Sequence, residues 1–349
     1  MRLLCRLLSI LSKKQIANME PISISFMTEK IVGHGEDAPP FLIAKGKAYA
    51  VGVFDGMGGA GSTICDSSFG DGHTQAYVAS RIVCSSMNTF FHNHLPTDDV
   101  SVDDMKVVIK RKLCEEKEAF PPKEKSALRS KLVREYPTTL AIVVLQEYEK
   151  TYKVESYWAG DSHCYLWTKD GFFQTSKDDL EVNNDPMENL HNDSPISNCI
   201  CADRDFTINS TTFEISKSPA IILCATDGCF GYYQSPMHFE YILCSTLQEA
   251  KEEKEWEQLL REEILKVTGD DSSLSLIAKG FSSFEELKKL MKSVPADVVK
   301  LMKQEKEVVT AEQILSEEKE KYKQQMASGW NNYKHNYMKY IKDRDNGNA

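Results

Sequence analysis

Four segments of this chain each join an apolar run to an aspartate, a pattern that can build a metal site. Three runs end in an acid and the fourth follows one; the acids are Asp55, Asp161, Asp227 and the pair Asp270-Asp271. Carboxylates that meet at strand ends repel one another and raise one another's pKa unless a cation pairs with them. Because hard cations prefer such oxygen ligands, the pattern predicts a cation site built from residues far apart in sequence.

Two further features offer oxygen ligands from loops. Glu36 and Asp37 lie in a loop rich in glycine and proline, and Gly56 opens a glycine-rich stretch directly after Asp55. Glycine allows the backbone to approach a ligand closely, so the carbonyl of Gly56 is a candidate ligand. Since neither cysteine nor histidine occupies the matching positions, the donor set favours Mg²⁺ or Mn²⁺ over Zn²⁺.

Each acid also has a simpler interpretation. Asp-Gly is a common hairpin signal, and four such pairs occur here, at Asp55, Asp71, Asp170 and Asp227. Around Asp170 the flanking apolar residues predict only a hairpin. The metal-site hypothesis therefore depends on the joint occurrence of the acids in this order.

The composition narrows the class of protein. The chain has 349 residues and a net charge of −10, which does not favour a nucleic-acid partner. Its ten cysteines include no C-x-x-C pair, and several lie inside apolar runs, so we expect reduced thiols and a cytoplasmic location. No run approaches the about 20 apolar residues of a membrane span.

The first 21 residues resemble a signal peptide only superficially. Arg6 interrupts the apolar stretch, and no small-residue cleavage site follows. We expect a leader, or a start upstream of the true one at Met19.

From residue 22 to residue 280 the pattern alternates between strands and helices without a clear linker. Apolar residues at helical spacing predict a helix over residues 74–91, and we expect the charged residues 96–135 to be mostly helical with a break at Pro121-Pro122. Strands are predicted at residues 47–54, 140–145 and 154–159, and a hairpin at residues 164–173.

Two regions leave alternatives open. Residues 176–200 are polar and acidic, and they form either a mobile flap over the site or a solvated loop. The charge-rich pattern of residues 281–349 predicts a helical C-terminal extension. An aromatic stripe within it comprises Trp330, Tyr333, Tyr337 and Ile341. That stripe either docks on the protein's own domain or binds a partner or a second copy.

The motifs together resemble the metal-dependent serine/threonine protein phosphatases of type 2C, the PPM family, over about residues 22–280. Met57, within the glycine motif, is typical of bacterial members. The matching motifs are Glu36-Asp37, Asp55-Gly56-Met57-Gly58-Gly59, Ala79-Ser80, Thr138-Thr139-Leu140-Ala141, Ala159-Gly160-Asp161-Ser162-His163, Thr226-Asp227-Gly228 and Asp270-Asp271-Ser272-Ser273.

The resemblance implies an α+β fold, a four-layer αββα sandwich in which helices flank two central antiparallel β-sheets. It implies hydrolysis of phosphoserine and phosphothreonine in proteins, and a kinase that opposes the reaction. Two Mg²⁺ or Mn²⁺ ions would hold the attacking water, so no protein nucleophile is needed.

The same resemblance implies roles for individual residues. Asp55 would bridge two metals, Asp227 and Asp270 would complete the first site, and Glu36 with the carbonyl of Gly56 would complete the second. A second set of roles surrounds these ligands. Asp37 would hold a metal-bound water, and Asp161 with Asp227 would serve a third, weaker metal.

Departures from the family pattern motivate an alternative. Val32 stands where the family commonly has a phosphate-binding arginine, and neither Lys30 nor His34, the candidate phosphate contact, offers a bidentate fork. Met57 replaces a histidine that some members use as a general acid. His163 replaces the arginine of its motif; we expect it to pack locally, and it favours neither an active nor an inactive protein. The alternative is a catalytically weak or inactive signalling or scaffold module; retention of all the expected acids favours an enzyme.

Overall fold

The computed structural model describes residues 21–340 except residues 97–99, 122–132, 183–184, 193 and 292–293. Nearly all of the predicted leader lies outside the described residues, as does Ile341. The described strands are β1 Ile22–Thr28, β2 Phe41–Lys45, β3 Ala48–Val53, β4 Ile64–Ser67, β5 Gly70–Thr74, β6 Leu140–Glu147, β7 Thr151–Ala159, β8 His163–Thr168, β9 Gly171–Gln174, β10 Asn209–Ser216, β11 Ala220–Ala225 and β12 Ser272–Lys279.

Ten of these strands form two five-stranded antiparallel sheets. The first sheet has the order β1-β12-β11-β8-β9 and the second has the order β10-β7-β6-β3-β2, while β4 and β5 form a separate hairpin. The described helices are α1 Gln75–His94, α2 Val102–Ala119, α3 Pro186–Asn189, α4 Asp227–Phe230, α5 Pro236–Glu249, α6 Glu253–Leu265, α7 Phe284–Leu290 and α8 Ala296–Tyr337.

The layers follow from which faces of the strands are apolar. Between the sheets, Val51 and Val143 of the second sheet pack with Ile222 and Ile277 of the first. The outer face of the second sheet packs on α1 and α2, and the outer face of the first packs on α5, α6 and α7. Both faces of the central strands are therefore buried, and the predicted αββα sandwich is confirmed.

Local signals in the sequence explain several element boundaries. The predicted helix over residues 74–91 is α1, where Thr74 is the N-cap and its hydroxyl accepts a hydrogen bond from the backbone N–H of Tyr77 at 3.1 Å. Lys169-Asp170 is the two-residue loop of the β8–β9 hairpin, and Gly171, which has φ of +147°, begins β9 opposite Thr168. The predicted strand over residues 47–54 is β3.

The register of the sheets places the candidate acids at one edge of the sandwich. Val53, at the end of β3, pairs with Ala141 at the start of β6, and Leu140 pairs with Ala159 at the end of β7. In the other sheet Ala225, at the end of β11, pairs with both Leu274 and His163. Because antiparallel neighbours alternate in direction, the end of one strand and the start of the next meet at the same edge.

The contacts divide the chain into two compact units, one up to Val294 and one from Pro295. Leu287 and Met291, in and after α7, are part of the core of the first unit. The second unit contains α8. The predicted domain boundary after residue 280 stays a prediction. Within the described part of the chain, we find no helix with the length and apolar character that a bilayer crossing requires.

Candidate metal centre

The two sheets deliver the candidate acids from strand ends and from short loops. Asp55 follows β3, Asp161 lies between β7 and β8, Asp227 begins the single turn of α4 directly after β11, and Asp270 precedes β12. Besides desolvation, the charge of Asp161 raises the pKa of Asp55, that of Asp227 raises the pKa of Asp55 and of Asp161, and that of Asp270 raises the pKa of Asp227. The structure therefore brings these four residues within electrostatic reach of one another.

The loop that carries Glu36 and Asp37 is held in place by a distant carboxylate. Asp271 accepts a hydrogen bond from the backbone N–H of Lys30 at 2.8 Å and another from that of Glu36 at 2.6 Å. Both oxygens of Asp271 are thus engaged by distant backbone groups, whereas its neighbour Asp270 is exposed and accepts the adjacent Asp271 N–H at Oδ1, at 2.9 Å. Asp270 therefore remains the candidate ligand of this pair, and Asp271 positions the loop.

Helix α1 supports the same loop from its other side. The hydroxyl of Ser80 donates to the carbonyl oxygen of Glu36 at 2.6 Å, and the guanidinium of Arg81 lies 3.3 Å from the same oxygen. Arg81 also lies 3.4 Å from the carbonyl oxygen of Gly35 and 3.3 Å from the ring centroid of Tyr77. Two adjacent side chains of α1 therefore hold the main chain beside the acids, and the Tyr77 ring packs against one of them.

The Glu36 carboxylate lies directly over the glycine motif. Thr74, the N-cap of α1, donates its hydroxyl to Oε1 of Glu36. A Cβ atom at Gly58 would lie only 1.7 Å from Oε2 of Glu36, whereas a Cβ at Gly59 would meet nothing within 4 Å. Gly58 is therefore required for the close approach of Glu36, and Gly59 is not.

Asp55 and Gly56 are aligned by the segment that directly precedes β6. The backbone N–H of Thr139 and the hydroxyl of Thr138 donate to the carbonyl oxygen of Asp55 at 2.8 and 2.6 Å, and the hydroxyl of Thr139 accepts from the Asp55 N–H at 3.1 Å. On the other side of Gly56, Met57 N–H donates to Pro137. These hydrogen bonds pair Gly56 with Thr138 through the residues on either side of Gly56. None of them uses the carbonyl of Gly56 itself.

A second loop fixes Asp37 next to Asp227. The hydroxyl of Thr226 donates to Oδ2 of Asp37 at 3.0 Å and accepts from the backbone N–H of Ser273 at 2.8 Å. At Gly228 a Cβ would lie 1.8 Å from the carbonyl oxygen of Asp271, so only glycine allows α4 to pack against the segment before β12.

The acids share an electrostatic environment that opposes their ionisation. Desolvation raises the pKa of Asp37 to about 7 and that of Asp227 to about 6, with further contributions from Asp227 to Asp37 and from Asp270 to Asp227. Desolvation, together with the charges of Asp37 and Asp227, raises the pKa of Asp55 well above its ordinary value.

Two more acids share this tendency. Desolvation, followed by the charge of Asp227, raises the pKa of Asp161 well above its ordinary value. The pKa of Glu36 is also raised, first by desolvation, with the charges of Asp271 and Asp270 adding to it, while the Thr74 hydrogen bond opposes the rise. A bound cation would lower the pKa of each of these groups, because it favours the charged carboxylate.

The donor set fits a hard cation. Oδ1 of Asp37 and Oδ1 of Asp161 are buried and have no hydrogen-bond partner, which is unusual for carboxylate oxygens. All candidate ligands offer oxygen, as Mg²⁺ and Mn²⁺ prefer. Among the residues that the structure describes, no three His, Cys, Asp or Glu side chains are already grouped as a metal would require.

His34, the candidate phosphate contact, lies in an exposed turn. Its backbone N–H donates to the carbonyl oxygen of Ile31 at 2.9 Å, and the neighbouring Val32 is 90% exposed. A role for His34 in phosphate binding stays a prediction.

A cavity of about 420 Å³ opens beside Asp161 and Asp227. Its other wall comes from the segment after β9, including Asp178 and Asn189. Asp178 is buried and its carboxylate accepts a hydrogen bond from Asn189 at 2.8 Å, while Asp179 accepts bonds from Asn198 and Asn209. Residues 176–200 are therefore tied to the sheets at their start, and a role as a flap stays a prediction.

Sequence reasoning did not identify Thr74, Arg81 or Asp178 as parts of this site, and it named Asp271 only as one of a pair of candidate acids, without its contacts to the Glu36 loop. Arg81 directly follows the Ala79-Ser80 pair, and this position beside a family motif was the only local feature of the sequence that pointed to it. The contacts of the other three join residues 11 to 241 positions apart, so no spacing rule could find them.

Comparison with known proteins gives a family and a fold. The family model for protein phosphatase 2C matches residues 34–266. No curated protein matches the chain. Among solved structures, the serine/threonine phosphatase Stp1 from Staphylococcus aureus is 16% identical with a TM-score of 0.51, over 74% of this chain and 95% of that one.

Two other structures show the same similarity of fold. The Mycobacterium tuberculosis serine/threonine phosphatase PstP/Ppp is 15% identical with a TM-score of 0.50, over 75% of this chain and 99% of that one. A C. elegans sex determining protein is 12% identical with a TM-score of 0.54, over 79% of this chain and 68% of that one.

Proposed function

Because this chain belongs to the protein phosphatase 2C family, whose members are metal-dependent serine/threonine phosphatases, we propose that it hydrolyses phosphoserine and phosphothreonine in proteins at the carboxylate edge of the sandwich. The observation that carries the proposal is the convergence of Asp37, Asp55, Asp161 and Asp227, whose pKa values are all raised by desolvation and by neighbouring carboxylates. Such an arrangement is costly to a fold unless cations bind it.

The residues divide into ligands and supports. Asp55, with Asp227 and Asp270, would hold one Mg²⁺ or Mn²⁺ ion, and Asp55 with Glu36 and the Gly56 carbonyl would hold a second. Asp161 with Asp227 is the candidate pair for a third. When bound, such ions activate water and neutralise charge on the phosphoryl oxygens.

The chain's own groups then orient the reactants. Asp37 is held through Oδ2 by Thr226, which leaves Oδ1 free to accept a hydrogen bond from the attacking water. Since no protein nucleophile is required, the products are inorganic phosphate and a free serine or threonine hydroxyl. We propose that an opposing kinase supplies the substrate.

One observation favours the alternative of a weak or inactive module. The position of the family's phosphate-binding arginine is occupied by Val32, which is exposed. No bidentate donor stands there, so the substrate phosphate would be held chiefly by the cations.

The test is hydrolysis of p-nitrophenyl phosphate and of phosphoserine peptides, with and without Mn²⁺. We expect Mn²⁺-dependent turnover in the parent protein and a loss of about 100-fold or more in Asp55→Asn and Asp227→Asn. Asp71→Asn is the matched control, because this Asp-Gly pair lies in the exposed β4–β5 hairpin. No metal-dependent activity in the parent would overturn the enzyme proposal, and activity that survives both site variants would overturn the assigned site.

A further inference from the structure

Helix α8 exposes a continuous apolar stripe. Residues 305–337 of this helix span about 50 Å. Val308, Leu315, Met326 and Tyr333 are each more than half exposed. Since most helical stability in proteins comes from packing an amphipathic face, a stripe of this length requires a partner surface.

The stripe follows a heptad repeat, whose seven positions are lettered a to g and whose a and d positions form the core of a coiled coil. The polarity of the a and d positions changes at the middle of the helix. In the first half, the d positions are apolar and the a positions are charged. In the second half, the a positions are apolar, and the d positions that follow Tyr322 are small or polar. The d positions are Val308, Leu315, Tyr322, Gly329 and Asn336, and the a positions are Glu305, Glu312, Lys319, Met326 and Tyr333.

We propose that α8 forms an antiparallel coiled coil with α8 of a second copy of this chain. When one helix is reversed, each d position packs beside an a position of the other helix in a shared layer. In the register centred between residues 320 and 321, Val308 meets Tyr333 of the second copy and Leu315 meets Met326. Two-fold symmetry repeats each of these apolar layers.

The polar core positions select this orientation. The same register places Glu305 beside Asn336 and Glu312 beside the small Gly329. A parallel dimer would instead place Glu305, Glu312 and Lys319 each against its own copy. Like charges facing one another in a core are strongly unfavourable, so the sequence disfavours the parallel arrangement.

The positions that flank the core also match. The e position Val309 lies opposite Trp330 of the second copy, and both side chains are exposed in the single chain. Residues 305–320 contain six glutamates and two lysines, whereas residues 321–337 contain three lysines and no acidic residue. Antiparallel pairing brings the acidic half of one helix against the basic half of the other.

The experiment measures the mass of the full-length chain in solution by analytical ultracentrifugation as a function of concentration. We expect a dimer for the parent. Leu315→Lys and Met326→Glu, each examined alone, should raise the dimer dissociation constant at least tenfold, because each places two charges in apolar layers. An equimolar mixture of the two variants should recover the dimer, since one layer then holds the introduced lysine against the introduced glutamate and the other keeps Leu315 against Met326.

Gln324→Lys is the matched control, because it adds a charge at an f position on the opposite side of the same helix. It should dimerise like the parent. A monomeric parent would overturn the proposal and would favour docking of the stripe elsewhere, and dimerisation of both single variants would remove α8 from the interface. Failure of the mixture to recover, with both variants folded by circular dichroism, would exclude the antiparallel register.

Discussion

The imidazole of His163 lies 2.5 Å from the carboxylate of Asp178, measured from Nε2 to Oδ1, and both side chains are buried. His163 also contacts the Tyr165 hydroxyl through Nδ1 at 2.7 Å and stacks on Phe230 with ring centroids 3.9 Å apart. This contact ties the segment after β9 to the strand that follows Asp161. His163 therefore does pack locally, and through Asp178 it supports one wall of the cavity beside the acids.

We predict that His163→Ala impairs the binding of extended substrates more than it impairs the hydrolysis step. Removing a partner of buried Asp178 should destabilise the fold by about 1–3 kcal/mol. It should also loosen the cavity wall. The KM for a phosphopeptide should then rise more than the KM for p-nitrophenyl phosphate, which needs only the carboxylate edge. Steady-state kinetics with both substrates check this.

His191→Ala is the control for His163, because His191 lines the same cavity but is exposed. Its kinetics should match those of the parent with either substrate. Equal KM changes for the two substrates in His163→Ala would contradict the assigned role of the cavity wall.

We predict that Gly58→Ala weakens metal binding without a large loss of stability. The new methyl group would occupy the place of Oε2 of Glu36, and the flexible glutamate side chain would move away rather than the backbone. Calorimetric titration with Mn²⁺ should show about tenfold weaker binding, which corresponds to about 1.4 kcal/mol.

Gly59→Ala provides the comparison within the same motif, because a Cβ there meets nothing within 4 Å. It should bind Mn²⁺ like the parent. If both alanine variants weaken binding equally, the effect belongs to the flexibility of the loop and not to the position of Glu36.

We predict that Arg81→Lys lowers Mn²⁺ affinity, although Arg81 is not proposed as a ligand. Lysine keeps the charge but loses the planar fork that reaches the carbonyl oxygens of both Gly35 and Glu36. The Glu36–Asp37 loop should then be less ordered, and activity should require more Mn²⁺ while the rate at saturating Mn²⁺ stays within about threefold of the parent.

Arg111→Lys controls for the substitution itself. Arg111 is an exposed residue of α2, and its Nε atom lies 3.7 Å from Glu115, so lysine should be tolerated there. An Mn²⁺ requirement that is unchanged in Arg81→Lys would show that Ser80 and Asp271 suffice to hold the loop.

We predict that the metal-free protein loses stability as the pH rises from about 4 to about 7. An acid whose pKa is higher in the folded state than in the unfolded state is penalised once the unfolded chain can ionise. The penalty is absent below the ordinary aspartate value of 3.8 and is complete above the folded values of about 6 for Asp227 and about 7 for Asp37. Chemical denaturation in the presence of a chelator, measured across this range, checks the sign.

Two comparisons sharpen this prediction. Asp55→Asn should flatten the pH dependence and stabilise the metal-free protein at pH 7, because it removes one of the mutually repelling charges. Excess Mg²⁺ should stabilise the parent more at pH 7 than at pH 5, and the variant much less at either pH. A metal-free parent whose stability rises between pH 4.5 and 7 would refute the electrostatic account of this edge.

Much of the fold and part of the site could be predicted from the sequence. The periodicity of residues 74–91 predicted α1, the apolar run before Asp55 predicted β3, and Asp170-Gly171 predicted the β8–β9 turn. These signals are local, since propensity, capping and turn chemistry act over a few residues. The layered sandwich came from the resemblance of the motifs to a family, because periodicity does not determine which sheets pack together.

The sequence by itself determined the kind of chemistry, through the residue types at strand ends and the glycines that follow them. Only the tertiary structure decided how the acids are held. It engaged Asp271 with the backbone N–H groups of Lys30 and Glu36 and left Asp270 exposed as the candidate ligand, a distinction that two adjacent aspartates do not show in sequence. It also joined Arg81 to the Glu36 loop and His163 to Asp178. The physical reason is that hydrogen bonds and desolvation depend on distances in space, which antiparallel register sets between strands far apart along the chain.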